Sequence, residues 1–266
     1  MCLILAVLSI FPFWIMVVNA TRSSPEIQQG VSLWFSGFFG KNWNVIESRL
    51  SSGFNPFVGL RNSMIISTFA TLFAVYFSSL TAYGIVAYNF RAKNALFTFI
   101  VAVMMIPAQV SSIGFYKFMY QIGGQNNLLA FIIPAIASPT VVFFMRQYLL
   151  ASLSVEIVEA ARIDGSSEFA TFNRIVIPIM MPAVATQAIF VFVTSWNNLF
   201  MPMILLTKTE LKTMPVMISL LRSDVYRVEF GAIYLALTIA VLPLFIIYFL
   251  LSRYIIAGVA LGSVKE

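Results

Sequence analysis

Histidine is absent from the 266-residue chain, and cysteine occurs once, at Cys2. Zinc sites, iron–sulfur clusters, disulfide bonds and Cys–His nucleophile pairs depend on those residues, so the sequence excludes them or nearly does. The Gly-x-x-x-x-Gly-Lys-Ser/Thr pattern that cradles nucleotide phosphates is also missing. We therefore expect no metal and no cofactor on this chain, and no ATP bound by it.

Charged residues are scarce as well: they make up 10% of the chain, whereas 60% is hydrophobic and the mean hydropathy is +0.92. A soluble domain carries about 25% charged residues. This much apolar surface requires lipid as a solvent, and the sequence predicts an integral membrane protein. The net charge of +6 is also ordinary for membrane proteins, which carry Lys and Arg in their loops, so we expect no nucleic-acid partner.

Six stretches lack Asp, Glu, Lys and Arg and are long enough to cross a bilayer as helices, which takes about 20 residues. Their apolar runs are continuous and not alternating, which favours helices over a membrane barrel. The predicted fold class is all-α integral membrane, with six transmembrane helices in a single domain over residues 1–266. The predicted spans are approximately 1–19, 62–88, 95–116, 128–149, 179–206 and 230–252.

The nature of the first apolar stretch and the orientation of the chain in the membrane are separate questions. The first stretch has no basic residues before its apolar run and only a poor cleavage site, so we interpret it as a retained span and not as a signal peptide. With both termini inside, seven of the 16 Lys and Arg residues would be cytoplasmic. That count does not decide the orientation by the positive-inside rule.

One long polar segment, 152–178, separates the fourth and fifth predicted spans. Ser154 is placed to cap a short helix, and Gly165 to end it, because glycine accepts the left-handed conformation found at helix ends. Ser166 is placed to cap a second helix, which Pro178 helps to delimit. The segment therefore predicts two short helices joined by a tight turn.

We expect one face of this helix pair to be apolar, formed by Val155, Val158 and Ile163, with the remainder polar. Such a pair suits insertion into a groove of another protein, with apolar anchors and charged edges. An amphipathic element lying on the membrane surface would have a similar pattern. The residues alone leave both interpretations open.

The same segment resembles a known motif: Glu159-Ala160-Ala161, three residues, Gly165, nine residues, then Ile175-Val176-Ile177-Pro178. This spacing is similar to the EAA loop of permeases from binding-protein-dependent ABC importers, although the usual ending is Ile-x-Leu-Pro. The resemblance extends to the carbohydrate-uptake, MalG-like branch of that family. It is carried there by Asn62-Ser63, Ala87-Tyr88-Asn89-Phe90-Arg91, Trp196-Asn197-Asn198-Leu199-Phe200-Met201-Pro202 and Gly258-Val259-Ala260-Leu261-Gly262-Ser263-Val264-Lys265.

The resemblance implies a bacterial inner-membrane permease subunit that is not itself an enzyme. It would pair with a homologous, MalF-like second permease as a heterodimer and dock on two ABC ATPase subunits, which use ATP and Mg. A solute-binding protein outside the membrane would deliver a sugar. The implied ATPase-docking residues are Glu159, Ala160, Ala161, Arg162, Asp164 and Gly165, of which Glu159 makes a charged contact and Gly165 sets the turn.

Polar and aromatic residues in or near the spans are candidates for the substrate path, because sugars are bound by hydrogen bonds and ring stacking. They are Trp196, Asn197, Asn198, Gln109 and Tyr116, with Ser111, Ser112 and Gln187 as further members of the set. Trp196 could equally be a membrane-belt residue, and the serines could be helix contacts. Lys208, Glu210 and Lys212 match the loop that faces the binding protein in this family, or they are ordinary solvated loop residues.

Two other classes of protein fit the sequence less well. An ion-coupled secondary transporter would place an acid or base inside a span, and the six uncharged stretches contain none. An intramembrane enzyme would need a metal motif or an activated serine with a His or Lys partner. Within the ABC class, a permease for a polyol, glycerol phosphate or peptide remains an alternative, and the sequence does not name the sugar or the partner subunits.

Overall fold

The computed structural model describes residues 2–50, 53–222 and 228–262, and within those ranges the regular secondary structure is entirely helical. The predicted all-α class is therefore confirmed. The helices are Cys2–Asn19 (α1), Ser24–Gln28 (α2), Phe39–Ser48 (α3), Pro56–Ala87 (α4), Lys93–Met104 (α5), Ala108–Gln121 (α6), Leu129–Ile132 (α7), Pro139–Ser152 (α8), Val155–Ile163 (α9), Glu168–Thr171 (α10), Ile177–Trp196 (α11), Phe200–Leu205 (α12), Met214–Arg222 (α13) and Phe230–Gly262 (α14). Short 3-10 turns cover Ile133–Ile136 and Thr209–Leu211, and a π-helical turn covers Phe172–Val176.

Among the described residues, four helical stretches are long and apolar enough to cross a membrane: Pro56–Ala87, Leu129–Ser152, Glu168–Trp196 and Phe230–Tyr254. A fifth is added if α5 and α6 form one broken span, and α1 contributes a shorter apolar helix over Leu3–Asn19. The structure thus supplies four or five candidate spans where the sequence predicts six.

The predicted third span, 95–116, is not one straight helix, because α5 and α6 meet at an angle of 95°. The break falls at Pro107, which has an extended ψ of 131° and precedes the first residue of α6. Proline has no N–H to donate to the preceding turn, and it disfavours the helical conformation of the residue before it. Pro107 therefore does more than kink a continuous helix.

Helix α4 begins at Pro56, six residues before the predicted start of the second span. The side-chain oxygen of Asn55 accepts hydrogen bonds from the backbone N–H groups of Phe57 and Val58, at 3.1 and 3.2 Å. This cap satisfies two of the N–H groups that a helix start leaves without partners. Arg61 lies inside the helix, and the requirement for an uncharged stretch had placed the boundary just after it.

The helices in the region of the predicted fifth span, 179–206, have different bounds from that span. Helical structure runs without a break from Glu168 to Trp196, and Asn197 ends α11 with ψ near zero. Helix α12 is a separate six-residue helix. Asparagine competes for backbone hydrogen bonds and favours helix ends, which explains a stop at Asn197-Asn198.

The chain divides into two compact units, Met1–Ser63 with Asn198–Ile246, and Met64–Asn197 with Ile247–Glu266. The first unit has a core around Ile46, Phe54, Met214 and Met217. The second has a core around Met145, Leu149, Phe172 and Met180, where α8 packs against α5 and α11. The tail motif 258–265 continues α14 as far as Gly262, and its last three residues lie outside the described ranges.

Candidate functional site

The polar segment, 152–178, begins with a short helix whose N-terminus is set by Ser154. Ser154 occupies the N-cap position with extended backbone angles, but its side chain does not cap the helix. Its hydroxyl instead donates to the carboxylate of Glu156, and this hydrogen bond holds the pKa of Glu156 below its usual value. The predicted start of α9 is correct, whereas the predicted side-chain cap is not formed.

Helix α9 ends in a tight turn centred on Gly165. Gly165 has φ of +79°, and its N–H donates to the carbonyl of Arg162 at 3.0 Å. The N–H of Ser166 donates to the carbonyl of Ala161 at 2.9 Å. These two bonds form a Schellman motif, in which the left-handed residue is usually glycine because other residues have a steric penalty there. The predicted helix stop at Gly165 is confirmed.

The second half of the segment differs from the prediction. The N-cap of α10 is Ser167 and not Ser166, because it is the Ser167 hydroxyl that accepts from the N–H of Ala170, at 3.3 Å. Helix α10 then continues through the π-helical turn into α11, so it is the first turn of a long helix and not a separate short one.

Pro178 does not end this helix, because the turn before it is widened. The N–H of Ile177 donates to the carbonyl of Phe172, five residues back. A proline ring normally clashes with the carbonyl four residues earlier and leaves it without a donor. Here a single π-turn directly precedes Ile177 and Pro178 and shifts the hydrogen-bond register by one residue, and the chain stays helical through Pro178.

Glu168, the first residue of α10, joins the two sides of the turn. Its Oε1 accepts from Nε of Arg162 at 2.7 Å, and its Oε2 accepts from the hydroxyls of Tyr88 and, at 3.3 Å, Tyr83. The Arg162 guanidinium also lies 5.0 Å from the centre of the Tyr88 ring. The hydrogen bond to Glu168 raises the pKa of Arg162, and burial raises the pKa of Tyr88. This cluster fixes α9 to α10 and both to the end of α4.

The two faces of α9 have opposite environments. Val158 is fully buried and belongs to the same core cluster as Phe172, and Ala161 is buried as well. On the other side Glu159 is exposed, and Ile163 and Phe169 are 86% and 68% exposed. The predicted apolar face is therefore divided: Val158 anchors the helix, whereas Ile163 points outward together with Phe169, which the sequence argument did not single out.

The predicted substrate-path residues differ in their exposure. Trp196 is buried and its ring stacks on Phe192 with a centroid distance of 5.7 Å. Gln187 is buried as well, whereas Gln109, Asn197 and Tyr116 are exposed. Asn198 is partly exposed, and Tyr116 lies beside Tyr120 on α6. Their role in a substrate path stays a prediction.

The loop that carries Lys208, Glu210 and Lys212 is held by the start of α4. The fully buried side chain of Asn62 donates from Nδ2 to the carbonyls of Glu210 and Lys212, at 2.9 and 3.0 Å. The Ser63 hydroxyl accepts from the N–H of Met214 at 2.9 Å. The sequence comparison quoted Asn62-Ser63 only as part of a resemblance, and the structure shows that this pair secures a loop about 150 residues away along the chain.

Within residues 2–50, 53–222 and 228–262, no three His, Cys, Asp or Glu side chains are grouped so as to hold a metal ion. The Arg162–Glu168 cluster contains one carboxylate, already neutralised by its guanidinium partner. Its geometry suits a rigid brace and not a reacting group.

Comparison with known proteins shows a matching family and relatives that align over nearly the whole chain. The family described as "Binding-protein-dependent transport system inner membrane component" matches residues 74–260. The arabinooligosaccharides transport system permease protein AraQ of Bacillus subtilis (strain 168) is 30% identical over 264 residues, 99% of this chain and 93% of AraQ. The lactose transport system permease protein LacG of Rhizobium radiobacter is 32% identical over 260 residues, 98% of this chain and 92% of LacG.

A solved structure has the same fold. It is a bacterial ABC transporter involved in the import of the acidic polysaccharide alginate. One of its chains superposes with a TM-score of 0.79 at 20% identity, covering 94% of this chain and 92% of that one.

Proposed function

We propose that this chain, which belongs to the family of inner membrane components of binding-protein-dependent transport systems, moves a sugar or oligosaccharide across the membrane. It is a multi-pass permease subunit of an ABC importer, and its role is transport and not catalysis. The sugar assignment is supported by AraQ and LacG, which are named for arabinooligosaccharides and lactose and match nearly the full chain.

The observation that carries the proposal is the exposed side of the polar segment. Four exposed residues flank the Gly165 turn along the chain: Glu159, Ile163, Asp164 and Phe169. Large apolar side chains at such exposure, bordered by carboxylates, are typical of a docking surface. We assign this surface to a cytoplasmic ABC ATPase, which uses ATP and Mg, since the chain has no phosphate loop of its own.

The polar segment is built to transmit force as one body. Val158 anchors α9 in the core of the second unit, the Schellman motif fixes its C-terminal end, and the Arg162–Glu168 pair ties it to α10. Helix α10 is continuous with the membrane-spanning α11. Closure of two ATPase subunits would thus move the span directly, and the transporter would switch between inward- and outward-facing packings.

The remaining parts of the proposal concern the assembly. We assign six spans in one permease domain, counting α1 as the first and the bent α5–α6 pair as the third. A homologous, MalF-like permease completes a heterodimer. The loop with Lys208, Glu210 and Lys212 contacts the binding protein, and its attachment to Asn62 gives that contact a firm base.

For the substrate path we retain Asn197, Asn198, Gln109 and Tyr116, whose side chains are accessible at least in part. Trp196 takes a supporting role in this proposal, because its ring is covered and stacked on Phe192. It would orient the neighbouring Asn197 at the end of α11.

Cysteine crosslinking tests the docking surface. Both variants are made in a Cys2→Ser background, which removes the one native thiol. Ile163→Cys is the test variant. Glu210→Cys is the control, because that loop is predicted to lie on the opposite side of the membrane. In membranes containing the assembled transporter, Ile163→Cys should crosslink to an ABC ATPase and Glu210→Cys should not. Absence of any ATPase crosslink at position 163, or labelling of that cysteine from outside intact cells, would overturn the docking assignment.

A transport assay tests the substrate class separately. The assembled transporter in vesicles is supplied with ATP, its binding protein and labelled solutes: an arabino-oligosaccharide, lactose, maltose, a polyol and glycerol 3-phosphate. Accumulation of a saccharide supports the proposal. ATP-driven accumulation of a polyol or glycerol 3-phosphate alone would contradict the sugar assignment and leave the ABC mechanism intact.

A further inference from the structure

Two adjoining cavities lie at the corner between α4 and α5. One, of about 620 Å³, is lined by Asn89, Phe90, Arg91, Lys93 and Asn94. The other, of about 480 Å³, shares the Asn89 and Phe90 wall and is otherwise mainly apolar, being lined by Thr81, Gly84, Ile85, Tyr88 and Leu96. A polar, basic chamber and an apolar groove are therefore continuous along one wall.

The basic chamber has uncompensated positive charge. Lys93 makes a long hydrogen bond from Nζ to the carbonyl of Val86, at 3.4 Å, which leaves donors to spare. Among the described residues, neither Arg91 nor Lys93 has a carboxylate partner. The chamber therefore attracts an anion from both side chains.

The apolar groove runs back along a membrane-spanning helix. Thr81, Gly84 and Ile85 lie in the last two turns of α4, which is one of the candidate spans. At Gly84 a Cβ atom would meet nothing within 4 Å, so the absence of a side chain leaves the groove open. Polarity thus changes from charged to apolar across the C-terminal end of this candidate span.

We propose that this corner binds an anionic phospholipid, with its headgroup phosphate between Arg91 and Lys93 and an acyl chain in the groove beside Gly84. Basic pockets at helix ends recognise anionic headgroups, and the apolar groove supplies a place for the tail that a free phosphate could not use. The inference depends on the membrane location of the chain and not on the sugar or the ATPase. Bound lipid would contact Tyr88, the residue whose hydroxyl holds Glu168.

Lipid retention tests the site in two independent ways. The full chain is reconstituted in nanodiscs of phosphatidylcholine with a minor fraction of phosphatidylglycerol, extracted in neutral detergent and analysed by native mass spectrometry. Arg91→Gln with Lys93→Gln should lower the retained phosphatidylglycerol roughly thirtyfold, because each charge near the membrane surface contributes about fivefold. Gly84→Leu should lower it by filling the groove with the charges left in place.

The controls separate the sources of an effect. Lys117→Gln with Arg174→Gln removes the same charges from exposed positions elsewhere in the second unit, and Gly84→Ala is too small to fill the groove; both should retain the lipid. Unchanged retention in the Arg91/Lys93 variant would overturn the site. Loss there with full retention in Gly84→Leu, or displacement of the lipid by inorganic phosphate, would show a phosphate site without an acyl chain and would overturn the lipid assignment.

Discussion

Replacing Asn62 with alanine tests whether the loop around 208–212 is held in place by α4. The side chain is fully buried, and its Nδ2 group makes two hydrogen bonds to the loop carbonyls, at 2.9 and 3.0 Å. No other residue type of this size presents two N–H donors from one atom on a short stem. Alanine removes both bonds and leaves an unfilled volume beneath the loop.

The free energy that the substitution removes follows from those two hydrogen bonds. Each intramolecular hydrogen bond contributes about 1 kcal/mol net, so the pair contributes about 2 kcal/mol. Lys208 and Glu210 are exposed, so water can reach the loop and solvate the freed carbonyls, which keeps the loss near that value. A loss of about 2 kcal/mol raises the population of the open loop roughly thirtyfold.

Hydrogen exchange measures this population directly. The amide of Met214 donates to the Ser63 hydroxyl, next to Asn62, and should exchange roughly thirtyfold faster in Asn62→Ala if loop opening controls its exchange. Asn44→Ala is the matched control, since it makes the same change at an exposed position of the same unit. Equal exchange of the 209–214 amides in Asn62→Ala and the unmodified chain would refute the reasoning.

Three further substitutions have defined outcomes. Gly231→Ala would place a Cβ atom 2.3 Å from the carbonyl oxygen of Arg22, and we expect the free energy of unfolding to fall by about 1–3 kcal/mol in a thermal melt. Gly114→Ala is the control and should change little, because the space there is open. Equal melting temperatures for the two variants would contradict this packing. Gly165→Asp forces a side chain into φ of +79° and should uncouple ATP hydrolysis from uptake, so that normal sugar accumulation would count against the docking mechanism. Glu168→Gln breaks a half-exposed ion pair but keeps an acceptor for the tyrosine hydroxyls, so the unfolding free energy should fall by less than about 1 kcal/mol, and a much larger fall would show that solvent does not screen the pair.

The membrane class and helical fold could be predicted because they depend on local composition. Long uncharged runs predict α4 and α14. Gly165 predicts the turn after α9, because the left-handed conformation that the turn requires is a property of that one residue. Each of these signals lies within a few residues of the structure that it specifies. They require no knowledge of the tertiary contacts.

The errors arise where a local signal has two physical outcomes. Pro107 breaks its span by 95°, whereas Pro178 is accommodated by a π-turn, and nothing in the adjacent residues distinguishes the two. Ser166 and Ser167 are equally good capping residues, and the choice depends on which hydroxyl reaches a free N–H. The predicted second span begins too late relative to α4 because all charged residues were excluded from spans, whereas Arg61 is tolerated near the helix end.

The parts that could not be predicted depend on distant residues. Asn62 meets its partners near residue 211, and Glu168 meets Tyr83 and Tyr88 from a different helix. Ile163 and Phe169 are exposed whereas Val158, on the same helix as Ile163, is buried, and that difference depends on how the folded chain packs. Sequence separation of this kind conceals a contact until the chain is folded.

The unbroken helix from Glu168 to Trp196 sets a scale for movement within the second unit. Its 29 residues extend about 43 Å at 1.5 Å per residue, so a tilt of about 5° at one end displaces the other by about 4 Å. That displacement is comparable to the width of a sugar ring. The helix therefore converts a small rotation at one end into a large displacement at the other. The π-turn at Phe172–Val176 is the one described place along this rod where its pitch is altered, and stiffening or loosening it would change the amplification without touching either end.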